Sequence, residues 1–151
     1  ISGLAIARPD ISIILIEPTG KRCRFLEEVK STLGLGNITV VNSRAEDYAR
    51  DHREEADIVT ARAVAALPIL AELCLPLVRN GGKFLAMKGP KGEEELTQAK
   101  QALEILGAKA TRINHYQLPS GDKRTIITAI KGRITPGKYP RNYGQIRKKP
   151  L

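Results

Sequence analysis

Four short stretches, each directly after an apolar run, carry side chains able to do chemistry. Glu17 stands in Leu15-Ile16-Glu17-Pro18-Thr19. A carboxylate at the end of a buried strand can accept hydrogen bonds from both hydroxyls of an adenosine ribose, each worth about 1.5–3 kcal/mol. Nicotinamide enzymes use an acid in the same way, and a merely solvated strand end is the plain alternative. Ser43-Arg44-Ala45-Glu46-Asp47 follows the next run, where a backbone N–H or a carboxylate could meet the edge of adenine. Arg62, in Thr60-Ala61-Arg62-Ala63, suits a cofactor carboxylate or an RNA phosphate; otherwise it is a surface arginine paired with an acid. Lys88, in Met87-Lys88-Gly89-Pro90, offers a cation to a substrate phosphate or simply to water.

The remaining reactive types point to ordinary structure. His52 lies in a polar stretch and His115 in an expected edge strand, and both read as surface residues. Cys23 and Cys74 sit inside apolar helical patterns and read as core thiols, which argues against a disulfide framework and for the cytoplasm. No metal-ligand spacing is present, and no metal is expected.

Positioning these residues requires alternating elements. The run 11–17 is short, apolar and β-branched, as in a strand buried on both faces of a parallel sheet. Phe25, Leu26, Val29 and Leu33 then recur at helical spacing, with Thr19 as the expected N-cap and Gly34 as the stop. Strands are expected at 37–41, 57–61 and 83–88, and a helical turn at 44–48. Helices are expected at 67–79, stopped by Asn80-Gly81-Gly82, and at 93–106, with Leu96, Ala99, Leu103 and Leu106 on one stripe. Glu93, Glu94 and Glu95 fall in that last helix's first turn, where the dipole favours acids. Two successive strands, 109–118 and 124–131, flank Pro119-Ser120-Gly121-Asp122 and form an antiparallel hairpin. The sum is a doubly wound α/β sheet closed by a hairpin, whose ligands bind beyond the carboxyl ends of the strands.

The 151 residues, 42% of them apolar, suffice for a packed core, and no apolar run is long enough to span a membrane. Neither is a signal peptide expected at the start of the sequence. The net charge of +9 is unevenly spread: residues 131–151 hold seven Lys or Arg and no acid, whereas 1–130 carry a balance of only +2. With Pro136, Gly137, Pro140, Gly144 and Pro150, this end reads as an extended basic tail outside the core. The expected division is therefore an α/β domain over 1–131 and a basic tail over 132–151 suited to contact with an RNA phosphate backbone. Tyr139 and Tyr143, interleaved with Lys138 and Arg141, are candidates to stack on bases, with Arg147, Lys148 and Lys149 adding phosphate contacts.

Taken together, Ala5-Ile6-Ala7-Arg8-Pro9-Asp10, Gly20-Lys21-Arg22-Cys23-Arg24-Phe25-Leu26, Arg62-Ala63, Lys88-Gly89 and Tyr139-Pro140-Arg141 with Lys148-Lys149-Pro150-Leu151 resemble the bacterial small-subunit rRNA guanine-N7 methyltransferases, the family first named glucose-inhibited division protein B. The resemblance runs over essentially the whole chain. It implies a class I (Rossmann-like) S-adenosylmethionine-dependent methyltransferase fold and methylation of one guanine at N7 in 16S rRNA of the small ribosomal subunit. It also implies cofactor contacts from Glu17, Pro18 and Thr19 at the ribose, Ala45 and Glu46 near adenine, Arg62, and Gly3 and Leu4 as the tail of a glycine-rich loop. Lys88 and Arg124 become possible substrate contacts. The family's first strand and its Gly-x-Gly-x-x-Gly loop are expected to fall outside this sequence, so the strands at 11–17 and 57–61 should each want a partner. Two other readings remain open on the sequence: a non-catalytic RNA-binding fragment of such an enzyme, and a nicotinamide-dependent oxidoreductase.

Overall fold

The computed structural model describes residues 2–62 and 65–151 (for Ser2, the backbone only), so Ala63 of the Arg62-Ala63 motif lies outside the described residues. The chain divides into two compact units, Ile1–Tyr48 and Ala49–Leu151.

In the first unit, α1 (Ser2–Ala7) precedes β1 (Ile13–Glu17), α2 (Gly20–Leu33), β2 (Ile38–Asn42) and the start of α3 (Ala45–Asp51). β1 and β2 form a two-stranded parallel sheet in the register Ile13↔Ile38 to Glu17↔Asn42. Ala5, Leu35 and Ile38 make its small core. Asn37 clamps α1 to this sheet, its amide donating to the carbonyls of Ala5, Arg8 and Ile11. Two expectations need correction here. β1 is not buried on both faces, since Ile14 is 50% exposed, and the α2 stripe is only partly covered, with Phe25 and Leu33 exposed. A two-stranded sheet is too narrow to cover all of a four-turn helix. Helix α2 does end at Gly34, at φ 62, whose N–H and that of Leu35 satisfy the last carbonyls. Thr19 occupies the N-cap position but makes no side-chain cap bond.

The second unit contains β3 (Ala56–Ala61), α4 (Leu67–Cys74), a 3-10 turn (Leu75–Leu77), β4 (Val78–Lys88), α5 (Gly92–Ile105), β5 (Ala108–Gln117), β6 (Lys123–Lys131) and α6 (Tyr143–Lys148). Its sheet has the order β3-β4-β6-β5, with β3 and β4 parallel and the β5–β6 hairpin antiparallel. Helices α4 and α5 pack on one face, where Phe84, Ala86, Ile127 and Ala129 meet Leu67, Leu70, Leu75, Ala99 and Leu103. Among the described residues β1 pairs only with β2 and β3 only with β4, so each keeps one unpaired edge.

The expected helix 67–79 is shorter. Pro76 lies in the 3-10 turn, and Asn80-Gly81-Gly82 stands inside β4 as an irregularity opposite 56–58, not as a helix stop. Gly81 has φ 84, and a Cβ on Gly82 would stand 2.6 Å from the Asp57 carbonyl oxygen. These glycines therefore permit a close strand approach.

The end of the chain also departs from expectation. It is not a loose tail: Tyr139, Ile146 and Thr135 are buried, and α6 is capped by the Asn142 side chain. Buried polar groups tie it down. Lys131, fully buried, donates through Nζ to Glu54 Oε1 and to the Leu75 and Val78 carbonyls, each at 2.8 Å. The same Glu54 oxygen accepts the Thr135 N–H, and the Thr135 hydroxyl donates to the Leu106 carbonyl. Arg53 donates to the Tyr139 and Thr135 carbonyls. A chain end with the composition of a linker thus becomes part of the core because buried side chains satisfy its backbone.

Candidate active site

In the first unit the register of two parallel strands brings the candidates together. Glu17 ends β1 opposite Asn42, and the Ser43 N–H donates to the Glu17 carbonyl at 3.2 Å, so the turn leading to Ala45 and Glu46 starts beside Glu17. The Glu17 carboxylate is 20% exposed. Its Oε1 accepts the Thr19 N–H at 3.0 Å and lies 4.0 Å from Arg22. Its second oxygen has no partner among the described residues, which leaves an acceptor at the mouth of the sheet. Pro18 and Thr19 form the turn into α2, and the Thr19 carbonyl accepts the Cys23 N–H. Glu46 is buried in the first turn of α3, its carboxylate 3.5 Å from the Arg44 guanidinium. Gly3 and Leu4 lie in α1 rather than in a loop. The surface hollow lined by Lys30, Gly34 and Leu35 is at the other end of these strands, away from Glu17.

In the second unit Arg62, Lys88 and Arg124 share one end of the sheet. Ala61 pairs with Ala86, so Arg62 and Lys88 lie at or just beyond the ends of neighbouring parallel strands, and Lys88 pairs with Thr125 beside Arg124. Arg62 is exposed and enters no ion pair or side-chain hydrogen bond among the described residues. Lys88 is neither solvated nor free for a phosphate. It is 8% exposed, donates to the Ala65 carbonyl at 2.6 Å and pairs with Glu95 at 3.0 Å. Arg124 is half-buried and lies 3.8 Å from Asp122. The acids opening α5 make no side-chain cap: Glu95 serves Lys88, and Glu93 meets the exposed His115 ring at 2.9 Å.

Among the basic-end candidates, Tyr139 is buried in the core and cannot stack on a base without leaving it. Lys138 lies over the Tyr139 ring at 5.4 Å. Arg141 is held by Glu72, and hydrogen bonding to that carboxylate raises the Arg141 guanidinium above its ordinary range. Lys138, Arg147, Lys148 and Lys149 are exposed. The sequence reading missed Lys131, Glu54, Arg53 and Glu72. Cys23 and Cys74 are buried free thiols, and burial pushes Cys74 up to about 12. Among the described residues no group of three or more His, Cys, Asp or Glu is placed to hold a metal, and no helix is long and apolar enough to cross a membrane.

Residues 3–127 match the family described as rRNA small subunit methyltransferase G. The chain belongs to that family. The ribosomal RNA small subunit methyltransferase G of Lactobacillus delbrueckii subsp. bulgaricus is 46% identical over 151 residues, covering 98% of this chain and 63% of the relative. The chain thus spans under two thirds of that relative's length. Among solved structures, the 16S rRNA (adenine-N1)-methyltransferase of Catenulisporales acidiphilia superposes with a TM-score of 0.72 at 13% identity, covering 93% of this chain and 80% of that one. A second structure of that enzyme, with its cosubstrate S-adenosylmethionine, gives 0.67 at 13% identity, over 87% of this chain and 78% of that one. The fold is that of the class I methyltransferases, an α/β chain ending in an antiparallel hairpin. Family membership displaces the nicotinamide reading of Glu17.

Proposed function

We propose that this chain forms the cofactor-binding and methyl-transferring part of an enzyme that methylates guanine N7 in 16S rRNA of the small ribosomal subunit, working in the bacterial cytoplasm. The observation that carries the reading is Glu17: a partly exposed carboxylate at the carboxyl end of a parallel strand, with one oxygen spent on its own turn and the other open. That donor-free acceptor fits the hydroxyls of an adenosine ribose.

S-adenosylmethionine would supply an activated methyl on a sulfonium. Glu17, with the Pro18-Thr19 turn, would hold its ribose. Ala45 and Glu46 would meet the adenine, and the exposed Arg62 would take an anionic group of cofactor or RNA. Gly3 and Leu4, in the first turn of α1, would lie near the methionine part. Guanine N7 carries a lone pair and no proton, so the protein need not supply a general base. Its task is alignment, which can account for much of the acceleration. The reading is thus consistent with a site whose histidines are engaged elsewhere or peripheral. Exposed Lys138, Arg147, Lys148 and Lys149, with Arg124, would contact the RNA backbone.

The deciding experiment incubates the chain with isotopically labelled S-adenosylmethionine and small ribosomal subunits from a strain lacking the modification, followed by nucleoside mass spectrometry. Labelled 7-methylguanosine supports the reading. RNA binding without transfer would instead favour a non-catalytic RNA-binding role. Calorimetry adds a residue-level check: Glu17→Ala should weaken cofactor binding with little change in stability, and equal affinity would remove the ribose assignment.

A further inference from the structure

We infer that Asn42 is a positioning residue for Glu17: it holds the Pro18–Thr19 peptide, and that peptide aims the carboxylate at the ribose; this rests on the reading of Glu17 given above. Asn42 ends β2 directly opposite Glu17. Its side-chain amide faces the carbonyls of Glu17 and Pro18. With its oxygen toward them it would meet acceptors only, so the nitrogen takes that side and donates to the Pro18 carbonyl at 3.1 Å and to the Glu17 carbonyl at 3.2 Å.

The two bonds differ in what they add. The Glu17 carbonyl also accepts the Ser43 N–H and the Cys23 thiol, each at 3.2 Å. The Pro18 carbonyl accepts no backbone N–H among the described residues, so Asn42 is what ties it to the neighbouring strand. That carbonyl is one end of a trans peptide whose other end is the Thr19 N–H, and the two ends of such a planar unit point in opposite directions. The Thr19 N–H donates to Glu17 Oε1 at 3.0 Å. Fixing the oxygen end from β2 therefore fixes the nitrogen end, and with it the carboxylate whose second oxygen is open. The Thr19 side chain does not help, because it makes no cap bond to α2.

The test compares Asn42→Leu, which keeps the approximate shape without a donor, with Asn42→Gln, Glu17→Ala and the double variant Asn42→Leu/Glu17→Ala in this chain. Calorimetric affinity for S-adenosylmethionine, the thermal midpoint and the hydrogen-exchange rate of the Thr19 amide, resolved by NMR, are measured. Asn42→Leu should weaken affinity about fivefold, as loss of one hydrogen bond does, and speed Thr19 exchange, with Asn42→Gln recovering part of both. The double variant should bind no more weakly than Glu17→Ala alone. Losses that multiply overturn the assignment, as does an unchanged affinity or an unchanged Thr19 exchange rate in Asn42→Leu. A merely structural Asn42 would lower the midpoint and leave both untouched. If the unaltered chain binds no cofactor, or Glu17→Ala binds it as well as the parent, the ribose reading of Glu17 fails separately. Thr19 exchange then decides for Asn42: unchanged protection in Asn42→Leu overturns its hold on the turn, and faster exchange upholds it.

Discussion

The fully buried Glu72 carboxylate in α4 grips Arg141 with both oxygens: Oε1 accepts the Arg141 backbone N–H at 3.0 Å and its Nε at 2.9 Å, and Oε2 accepts the guanidinium at 2.8 Å. The two partners differ in access to water, since the Arg141 side chain is 23% exposed and that of Glu72 is not exposed at all. Removing either should therefore cost unequally. Arg141→Ala strands a buried carboxylate and should lose about 3–5 kcal/mol, whereas Glu72→Ala leaves a cation that water can reach and should lose less. Urea unfolding of both variants checks this; equal losses would mean that water reaches Glu72 once its partner is gone.

Lys131 carries a second asymmetry. Burial pulls its ammonium below the ordinary lysine range, while Glu54 works against that pull. Lys131→Met removes the cation but leaves Glu54 Oε1 and the Leu75 and Val78 carbonyls without their shared donor. A loss of about 3 kcal/mol or more is expected in denaturant unfolding. The Glu54 backbone, at φ 55, is in a region that side chains disfavour, so the network also holds a strained residue in place. A loss below about 1 kcal/mol would show that the site relaxes around a methionine.

Both buried lysines could have been placed by parity. Successive strand side chains alternate between faces, so Lys88 follows Phe84 and Ala86 inward, and Lys131 follows Ile127 and Ala129. Charge alone made Lys88 look like a surface cation and counted Lys131 into a basic tail. The strand-helix alternation, the hairpin and the place of Glu17 were readable because each depends on local periodicity. The docking of 132–151 was not, because it depends on Arg53, Glu54 and Glu72, distant in sequence and lacking any local pattern. Asn80-Gly81-Gly82 was misread for a related reason. Glycine marks an unusual backbone, but only the neighbouring strand shows whether that is a stop or a close approach.

That close approach is open to a direct check. A methyl group on Gly82 would meet the Asp57 carbonyl at 2.6 Å and a Val78 methyl at 2.8 Å, so Gly82→Ala should lose about 1–3 kcal/mol by overpacking. Gly36 has open space around its Cβ position and no positive φ. Gly36→Ala should instead be neutral or gain up to about 1 kcal/mol, through a less flexible unfolded chain. Melting both variants beside the parent tests the pair, and a neutral Gly82→Ala would mean that β3 and β4 can separate there.

Cys74 provides a pH signature. Its thiol stays protonated in the folded chain up to about 12, against an ordinary value of 9.0. Above pH 9 the unfolded chain loses this proton and the folded chain keeps it. The stabilisation is therefore complete below pH 9 and is lost as pH rises toward 12, at up to about 1.4 kcal/mol per pH unit. Cys74→Ala should lower stability at neutral pH through its small cavity and flatten this alkaline slope. Parallel alkaline slopes for parent and variant would exclude the thiol as their source.

The basic end calls for a subtler perturbation than truncation. Deleting 132–151 would strip Thr135, Tyr139 and Ile146 from the second unit and should unfold it, whatever the RNA does. The exposed cations can be removed without that damage, because Arg147, Lys148 and Lys149 enter no ion pair among the described residues and Lys138 only lies over the Tyr139 ring at 5.4 Å, whereas Lys131 and Arg141 are held by buried groups. If they lie against RNA phosphates, changing all four to glutamine should lower the slope of log affinity against log salt by up to about 3, from roughly 0.7 per single-strand phosphate. Cofactor affinity and the melting midpoint should stay at parent values. Filter binding of a small-subunit rRNA fragment at several salt concentrations measures the slope. An unchanged slope would move the RNA contact away from this end of the chain and toward the strand-end face that carries Arg62 and Arg124.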